Sequence, residues 1–227
     1  MELRIARRYR GPLDSANGGY ACGLLAEALG GAAEVTLRLP PPLERPLVVH
    51  EVPGGVELRD GDRLVAEARR ADPALEVPAA PSFDDVGRLA TSASVGWGAA
   101  VFAECFVCGS RADGSGLEIH ARPVDGGDVV AAAWVAREVS QPVVWAVIDC
   151  PGAYALGEPG RGEPVLGRMT ARVDRVPDEG ERCVVVGWPL GEEGRKLYAG
   201  TALVGEDGAV LARARQVWIA PREPAGG

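Results

Sequence analysis

The sequence predicts an α+β fold built from two halves of the same plan. Two apolar segments read as helices: NGGYACGLLAEAL at residues 17–29 and VVWAVIDCPGAYAL at 143–156. Each is followed by a run of short, alternating segments separated by Gly, Pro and Asp turns, as in an antiparallel meander. The 31 glycines and 18 prolines suit many strands and turns better than long helices.

Taken in order, Leu3 to Arg10 alternates and reads as a strand, ended by Gly11-Pro12. Asp14, Ser15 or Asn17 would cap the first helix, whose apolar face carries Tyr20, Leu24, Leu25 and Leu29, and Gly30-Gly31 would end it. VTLRL, the bend PPPLERP, LVVHEV, GVELRDG and RLVAEARRA follow as strands and turns. ADPALEVPAAPS reads as a linker. SFDDVGRLA reads as a short helix with Ser82 as N-cap and acidic residues in its first turn. A Gly/Ala/Ser-rich connection containing Trp97 comes next.

The second half restarts at CFVCG. GLEIHARPV and VVAAAWVA read as a strand pair around Asp125-Gly126-Gly127. Pro142 suits the first turn of the second helix. Pro151 implies a kink, or a helix that begins near Asp149. LGRMTARVDRV, ERCVVVGWPLG, RKLYAGTALVGEDG and AVLARARQVWIAP complete the strands. VTLRLPPPLERPLVVHEV lies naturally beside MTARVDRVPDEGERCVVVGW, an internal repeat of topology with faint identity. One amphipathic helix under one twisted sheet cannot bury both its faces. Two such units joined edge to edge give one long sheet with both helices on one side.

The net charge is −8 and Lys196 is the only lysine. An acidic chain without a basic run argues against nucleic acid as a partner. No apolar run approaches the ~20 residues that span a bilayer. The N-terminus MELRIARRYRGP has no apolar core behind it, unlike a secretory signal. A cytoplasmic location away from membranes is therefore expected, with the five cysteines as reduced thiols.

The candidate residues each have an ordinary alternative. Asn17-Gly18-Gly19 is either a simple capped helix start or a set of N–H donors opened to a ligand. Asp149 is either the N-cap ahead of Cys150-Pro151 or a functional carboxylate. Cys105-x-x-Cys108 is half of a zinc site, a redox pair or a packed loop. No second C-x-x-C follows, and only His120 and Cys150 stand downstream as further ligands, so a packed loop and no metal is the expectation. His50 and His120 sit in strand patterns. With no motif placing either, a Ser/His/Asp hydrolase is not expected. RADGSG lacks the Lys-Ser/Thr of a phosphate loop. Arg168, Arg172, Arg195 and Lys196 are either a solvated face or phosphate contacts. Tyr20, Trp145, Tyr154 and Trp188 either fill the core or line an acyl pocket.

CFVCGSRADGSGLEIHARPV resembles the opening of domains in the hotdog-fold thioesterase superfamily, of the phenylacetate-pathway acyl-CoA thioesterase type: a C-x-x-C-G, a polar loop, then Gly-Leu and a strand. NGGYACGLLAEAL is similar to that family's His-Gly-Gly helix start, with Asn17 in place of the histidine. The resemblance implies a double hotdog: an N-terminal hotdog over residues 1–71, a linker with a short helix over 72–103, a C-terminal hotdog over 104–221 and a tail over 222–227.

The family's acid lies nine positions beyond its histidine, which falls here on Ala26; nine positions before Asp149 stands Ser140, followed by Gln141-Pro142. Because the family's site is shared between two paired helices, the resemblance implies one composite site. In it Asp149 acts as base or nucleophile, Gly18 and Gly19 N–H groups are oxyanion donors, Asn17 is an orienter, and Tyr20, Trp145 and Arg168 contact substrate. The opposite site would be dead. The implied substrate is an acyl-CoA or related thioester, with coenzyme A as part of the substrate and no separate cofactor, and a homodimer of double hotdogs is the implied assembly. The rival reading is a non-catalytic acyl- or CoA-binding or scaffolding protein with decayed sites. Hydratase chemistry is a third, disfavoured because neither histidine is placed for it.

Overall fold

The computed structural model describes residues 1–89, 102–124, 128–157 and 163–222. Trp97 and the Asp125-Gly126-Gly127 turn lie outside the described residues. The first helix, α1 (Gly18–Leu29), starts at the Asn17 cap, whose side-chain oxygen accepts from the Tyr20 N–H, and ends at Gly30 with φ 76°. Its buried face of Ala21, Cys22, Leu25 and Ala26 lies on the strands of the first half. A fully buried Leu such as Leu25 contributes about 1.5–3 kcal/mol.

The first half contains β1 (Glu2–Leu3), β2 (Ala33–Leu37), β3 (Leu47–Val52), β4 (Gly55–Asp60) and β5 (Arg63–Arg70). A short helix α2 (Phe83–Leu89) follows. The second half contains β6 (Arg122–Pro123), β7 (Val130–Val135), helices α3 (Gln141–Val147) and α4 (Cys150–Ala155), then β8 (Val165–Val173), β9 (Arg182–Glu193), β10 (Lys196–Gly205) and β11 (Val210–Ile219). All eleven strands form one antiparallel sheet in the order β1-β3-β4-β5-β2-β8-β11-β10-β9-β7-β6. Outward from the β2–β8 junction, β2-β5-β4-β3-β1 mirrors β8-β11-β10-β9-β7. This is the α+β double hotdog: two helix-bearing sheets joined at their edges. The junction pairs Val35 with Met169, both buried, and Thr36 with Arg168.

The helices α1 and α3 pack together beneath this sheet. Their crossing is close because α1 presents glycine there. A Cβ on Gly19 would lie 2.5 Å from Asp149 Cβ and 2.6 Å from the Trp145 carbonyl oxygen; one on Gly23 would lie 2.5 Å from Pro142 Cα. The two helices therefore run past each other with Gly19 beside Asp149 and Gly23 beside Pro142.

Three elements differ from the sequence expectation. Only Glu2–Leu3 of the Leu3–Arg10 segment is a strand; Arg7–Tyr9 forms a 3₁₀ turn. There the Tyr9 carbonyl accepts from the Asn17 N–H (2.8 Å) and its ring stacks on Tyr20 (centroids 3.9 Å apart), so the chain bends to brace the α1 start. In GLEIHARPV only Arg122–Pro123 pairs with β7. The Leu117 and Ile119 N–H groups instead bond to the Phe106 and Val107 carbonyls (2.8 Å each), tying this segment to the CFVCG loop. The second helix is split: α3 ends at Val147 and α4 begins at Cys150, with Pro151 in its first turn and Asp149 at the break. Pro151 has no N–H to continue the ladder of α3.

The α2 helix forms where Ser82 caps it, with the Asp85 N–H donating to Ser82 Oγ (3.2 Å). It also does more than connect: Val86 packs on the other face of the C-terminal sheet with Ala131, Val184, Val186, Ala202 and Val204, and Arg182 pairs with Asp84.

Candidate functional site

The start of α1 leaves the N–H groups of its first residues without acceptors in their own helix. The Ala21 N–H is satisfied by the Asn17 carbonyl (3.1 Å) and the Tyr20 N–H by Asn17 Oδ1 (2.9 Å). The Gly19 N–H donates across the helix crossing to Asp149 Oδ2 (2.8 Å). Capping fixes the Asn17 amide with its oxygen toward α1, and its Nδ2 then donates to the same Asp149 Oδ2 (3.0 Å). The structure thus brings Asn17, Gly18, Gly19 and Asp149 together, although Asp149 follows Asn17 by 132 residues.

Asp149 does not cap α4. Its backbone is helical (φ −82°, ψ −71°) and its side chain makes no capping hydrogen bond. The carboxylate is 2 % exposed. Oδ2 holds both donors, while Oδ1 is buried without a protein partner among the described residues. Burial pushes its pKa up to about 7; the nearby Cys105 sulfur adds to the rise, and the bonds from Gly19 and Asn17 oppose it.

Asp149 also lines an open cavity of about 290 Å³ between the halves, walled by Leu37, Pro40, Phe102, Leu166 and Trp218 and reaching Asn17 and Gly18. It sits at the lower end of ligand-pocket sizes. Gly18 is confined by Leu166 and Leu37, 3.0–3.3 Å from where a Cβ would stand. At the other end of the crossing, Ser140 Oγ accepts from the Val143 N–H (3.3 Å) and Ala26 is fully buried, so neither position supplies a carboxylate.

The remaining sequence candidates fall elsewhere. Gly19, expected as an oxyanion donor, has its N–H committed to Asp149, and its missing side chain serves the helix crossing. Tyr20 stacks on Tyr9 and does not line the cavity; the Tyr9 hydroxyl donates to Glu138 (2.8 Å). Trp145 is 1 % exposed and belongs to the core, because its position on α3 faces α1. Arg168 bonds Thr36 Oγ1 (2.9 Å) and faces Glu34 on the outer side of the β2–β8 junction, away from the cavity. Arg172 pairs with Asp174 and Asp72, and Arg195 donates to the Ala220 carbonyl (2.9 Å). His50 is exposed on β3, and His120 Nε2 contacts the Cys108 carbonyl oxygen at 3.0 Å.

Two residues escaped the sequence reading. Thr201 Oγ1 and Gln216 Nε2 both donate to the Ile148 carbonyl (2.7 Å each), and Gln216 Nε2 reaches the Asp149 carbonyl (3.1 Å). Trp218 Nε1 donates to Gln216 Oε1 (2.8 Å), fixing the amide's orientation. These bonds satisfy carbonyls freed by the helix break and hold the Asp149 backbone in place. The signal was available: in LARARQVWIA the inward positions are Ala212, Ala214, Gln216 and Trp218, and a glutamine on a buried face needs partners.

Three thiols gather beside this centre. Cys105, Cys108 and Cys150 have their sulfurs within 4.8 Å of one another, and Asn17 Nδ2 lies 4.0 Å from Cys105 Sγ and 3.9 Å from Cys150 Sγ.

No family model matches the chain, and no curated protein matches it. Solved structures do. An acyl-CoA thioesterase II, TesB2, from Mycobacterium marinum has a TM-score of 0.62 at 11 % identity, covering 100 % of this chain and 94 % of its own. A tesB protein from Mycobacterium avium subspecies paratuberculosis has a TM-score of 0.63 at 12 % identity, covering 97 % and 92 %. The dehydratase domain of a mycocerosic acid synthase-like polyketide synthase has a TM-score of 0.62 at 16 % identity, covering 98 % and 90 %. The likeness shows the double-hotdog fold of thioesterase structures over nearly the whole chain. It also shows that this fold carries more than one chemistry.

Proposed function

We propose that this protein hydrolyses an acyl thioester at the Asp149 cleft. The observation that carries the reading is the asymmetry of the carboxylate. Oδ2 is locked by two donors, whereas Oδ1 is buried without a protein partner among the described residues, on a residue that lines an apolar cavity. A base for water at neutral pH needs such an oxygen and a pKa near the working pH, and burial supplies the second.

With the thioester carbonyl beside Gly18, Oδ1 takes a proton from water as the water oxygen attacks the carbonyl carbon. The charge developing on the carbonyl oxygen is met by the Gly18 N–H, which lies at the cavity while the Gly19 and Tyr20 N–H groups are held by Asp149 and Asn17, and by the positive end of α1. Collapse of the adduct breaks the C–S bond, and the protonated Asp149 returns its proton to the leaving thiolate. The cavity's apolar wall suits the acyl end of the substrate, with acyl-CoA as the substrate class.

A panel of acyl-CoA substrates followed by thiol release tests this. Turnover that disappears in Asp149→Asn while the fold persists supports it. The committed Gly19 N–H, which leaves a single donor for the oxyanion, favours the rival reading of a non-catalytic acyl-binding protein. Thermal stabilisation by acyl-CoA across the panel, without thiol release, would establish the rival. Hydration chemistry fits less well, because neither histidine of the chain lines the cleft.

A further inference from the structure

We propose that Cys105, Cys108 and Cys150 form a three-thiolate site for Zn²⁺. The ion would lie next to the Asp149 cleft, which Cys105 and Cys150 line. The inference stands apart from the thioesterase reading.

Geometry carries it first. With Zn–S near 2.3 Å, tetrahedral sulfurs stand about 3.8 Å apart. Cys105 Sγ and Cys150 Sγ are 3.9 Å apart, and all three sulfurs lie within 4.8 Å, so closure about an ion asks for little movement. The sulfurs come from two remote segments: the CFVCG loop supplies two and the helix break supplies Cys150.

The loop itself has the form of a metal knuckle. The Gly109 N–H donates to the Cys105 carbonyl (2.9 Å). A Cβ on Gly109 would stand 2.4 Å from the Cys105 nitrogen, so the turn admits only glycine there. His120 braces the turn through the Cys108 carbonyl and is not a ligand.

Charge and access complete the case. Arg111 lies over Phe106, the neighbour of Cys105, at 5.9 Å from the ring centroid and donates to the Glu104 carbonyl on the other side of Cys105, so a cation is held on the loop that supplies two of the thiolates. Cys105 and Cys150 line the cavity, which gives the ion an entry path. The three thiol protons leave to solvent on binding. Cys22 and Cys183 are buried apart from the cluster and serve as internal controls.

The test uses the reduced, chelator-stripped full chain, with Zn²⁺ titrated against a chromogenic chelator. One equivalent per chain is expected, and Cys105→Ser, Cys108→Ser and Cys150→Ser should each weaken retention by at least about tenfold, whereas Cys22→Ser should not. Cd²⁺ should give a thiolate charge-transfer band in the wild type. Should the buried variants fail to fold, the wild type decides: Zn²⁺ should slow alkylation of the half-buried Cys108 about tenfold by removing its free thiolate. Absence of uptake by the folded, reduced wild type overturns the proposal. Retention unchanged in Cys108→Ser, or unprotected Cys108 in the presence of Zn²⁺, overturns it equally. Acyl-CoA turnover plays no part in these readouts, so either proposal can fail alone.

Discussion

Asp149→Asn should stabilise the protein at alkaline pH and leave its stability nearly unchanged near pH 4. The asparagine amide oxygen can replace Oδ2 and accept from both Asn17 Nδ2 and the Gly19 N–H, so the crossing keeps its bonds. What changes is the charge. In the metal-free protein the fold holds Asp149 near 7, against ~3.9 for a solvated aspartate. A raised carboxyl pKa means that the folded state resists ionisation. The wild type therefore suffers no penalty below pH ~4, loses stability as pH climbs from ~4 to ~7, and carries the full penalty above. The gap corresponds to about 4 kcal/mol, an order-of-magnitude figure, since each tenfold change in proton affinity is about 1.4 kcal/mol.

Groups unaffected by the substitution cancel in the difference between variant and wild type. Urea unfolding of both proteins at matched pH values from about 4 to 8 gives that difference directly. The curve should be flat at first, rise through the interval and level off above pH ~7. A difference independent of pH, or a variant less stable at pH ~8, would refute a buried ionising Asp149. Thiol release by the variant should be lost throughout.

Further outcomes follow from the same contacts. Gly19→Ala should destabilise by roughly 1–3 kcal/mol in thermal melts, because its Cβ would meet Asp149 Cβ and the Trp145 carbonyl at about 2.5 Å and the helices must part. Asn17→Ala removes both the α1 cap, worth about 0.5–2 kcal/mol, and a donor that holds Asp149 down. The activity profile should therefore move to higher pH in a pH–rate series. Gln216→Ala strips the buried Trp218 indole N–H of its acceptor, while the Ile148 and Asp149 carbonyls keep Thr201 Oγ1 and the Gly152 N–H, and should cost about 1–3 kcal/mol by urea unfolding. In the wild type, thiol release should rise with pH through about 7 and then plateau, as expected for a base that must be ionised.

Much of the fold was legible in the chain because its signals are local. Asn17 ahead of a periodic apolar run fixes the start of α1, Gly30 its end, Ser82 the start of α2, and alternation with Gly and Pro punctuation marks β2–β5 and β8–β11. The failures are local signals overruled by neighbours. The Leu3–Arg10 alternation gives way to a brace against α1, and GLEIHARPV is drawn to the CFVCG loop rather than to a strand.

The sequence by itself marked most of the elements and their order and offered Asn17-Gly18-Gly19 and Asp149 as candidates, which only the resemblance set opposite each other. Whether Asp149 caps its own helix or reaches the other was decided only by the crossing of α1 and α3. At that crossing Gly19 lets the backbones approach, and the helical backbone of Asp149 turns its carboxylate away from the N–H groups of α4. The grip of Thr201 and Gln216 on the helix break and the meeting of three sulfurs belong to the same category. Capping and periodicity act within a turn or two of chain. Contacts between residues 45 to 132 positions apart depend on sheet junctions and helix crossings that no local pattern encodes.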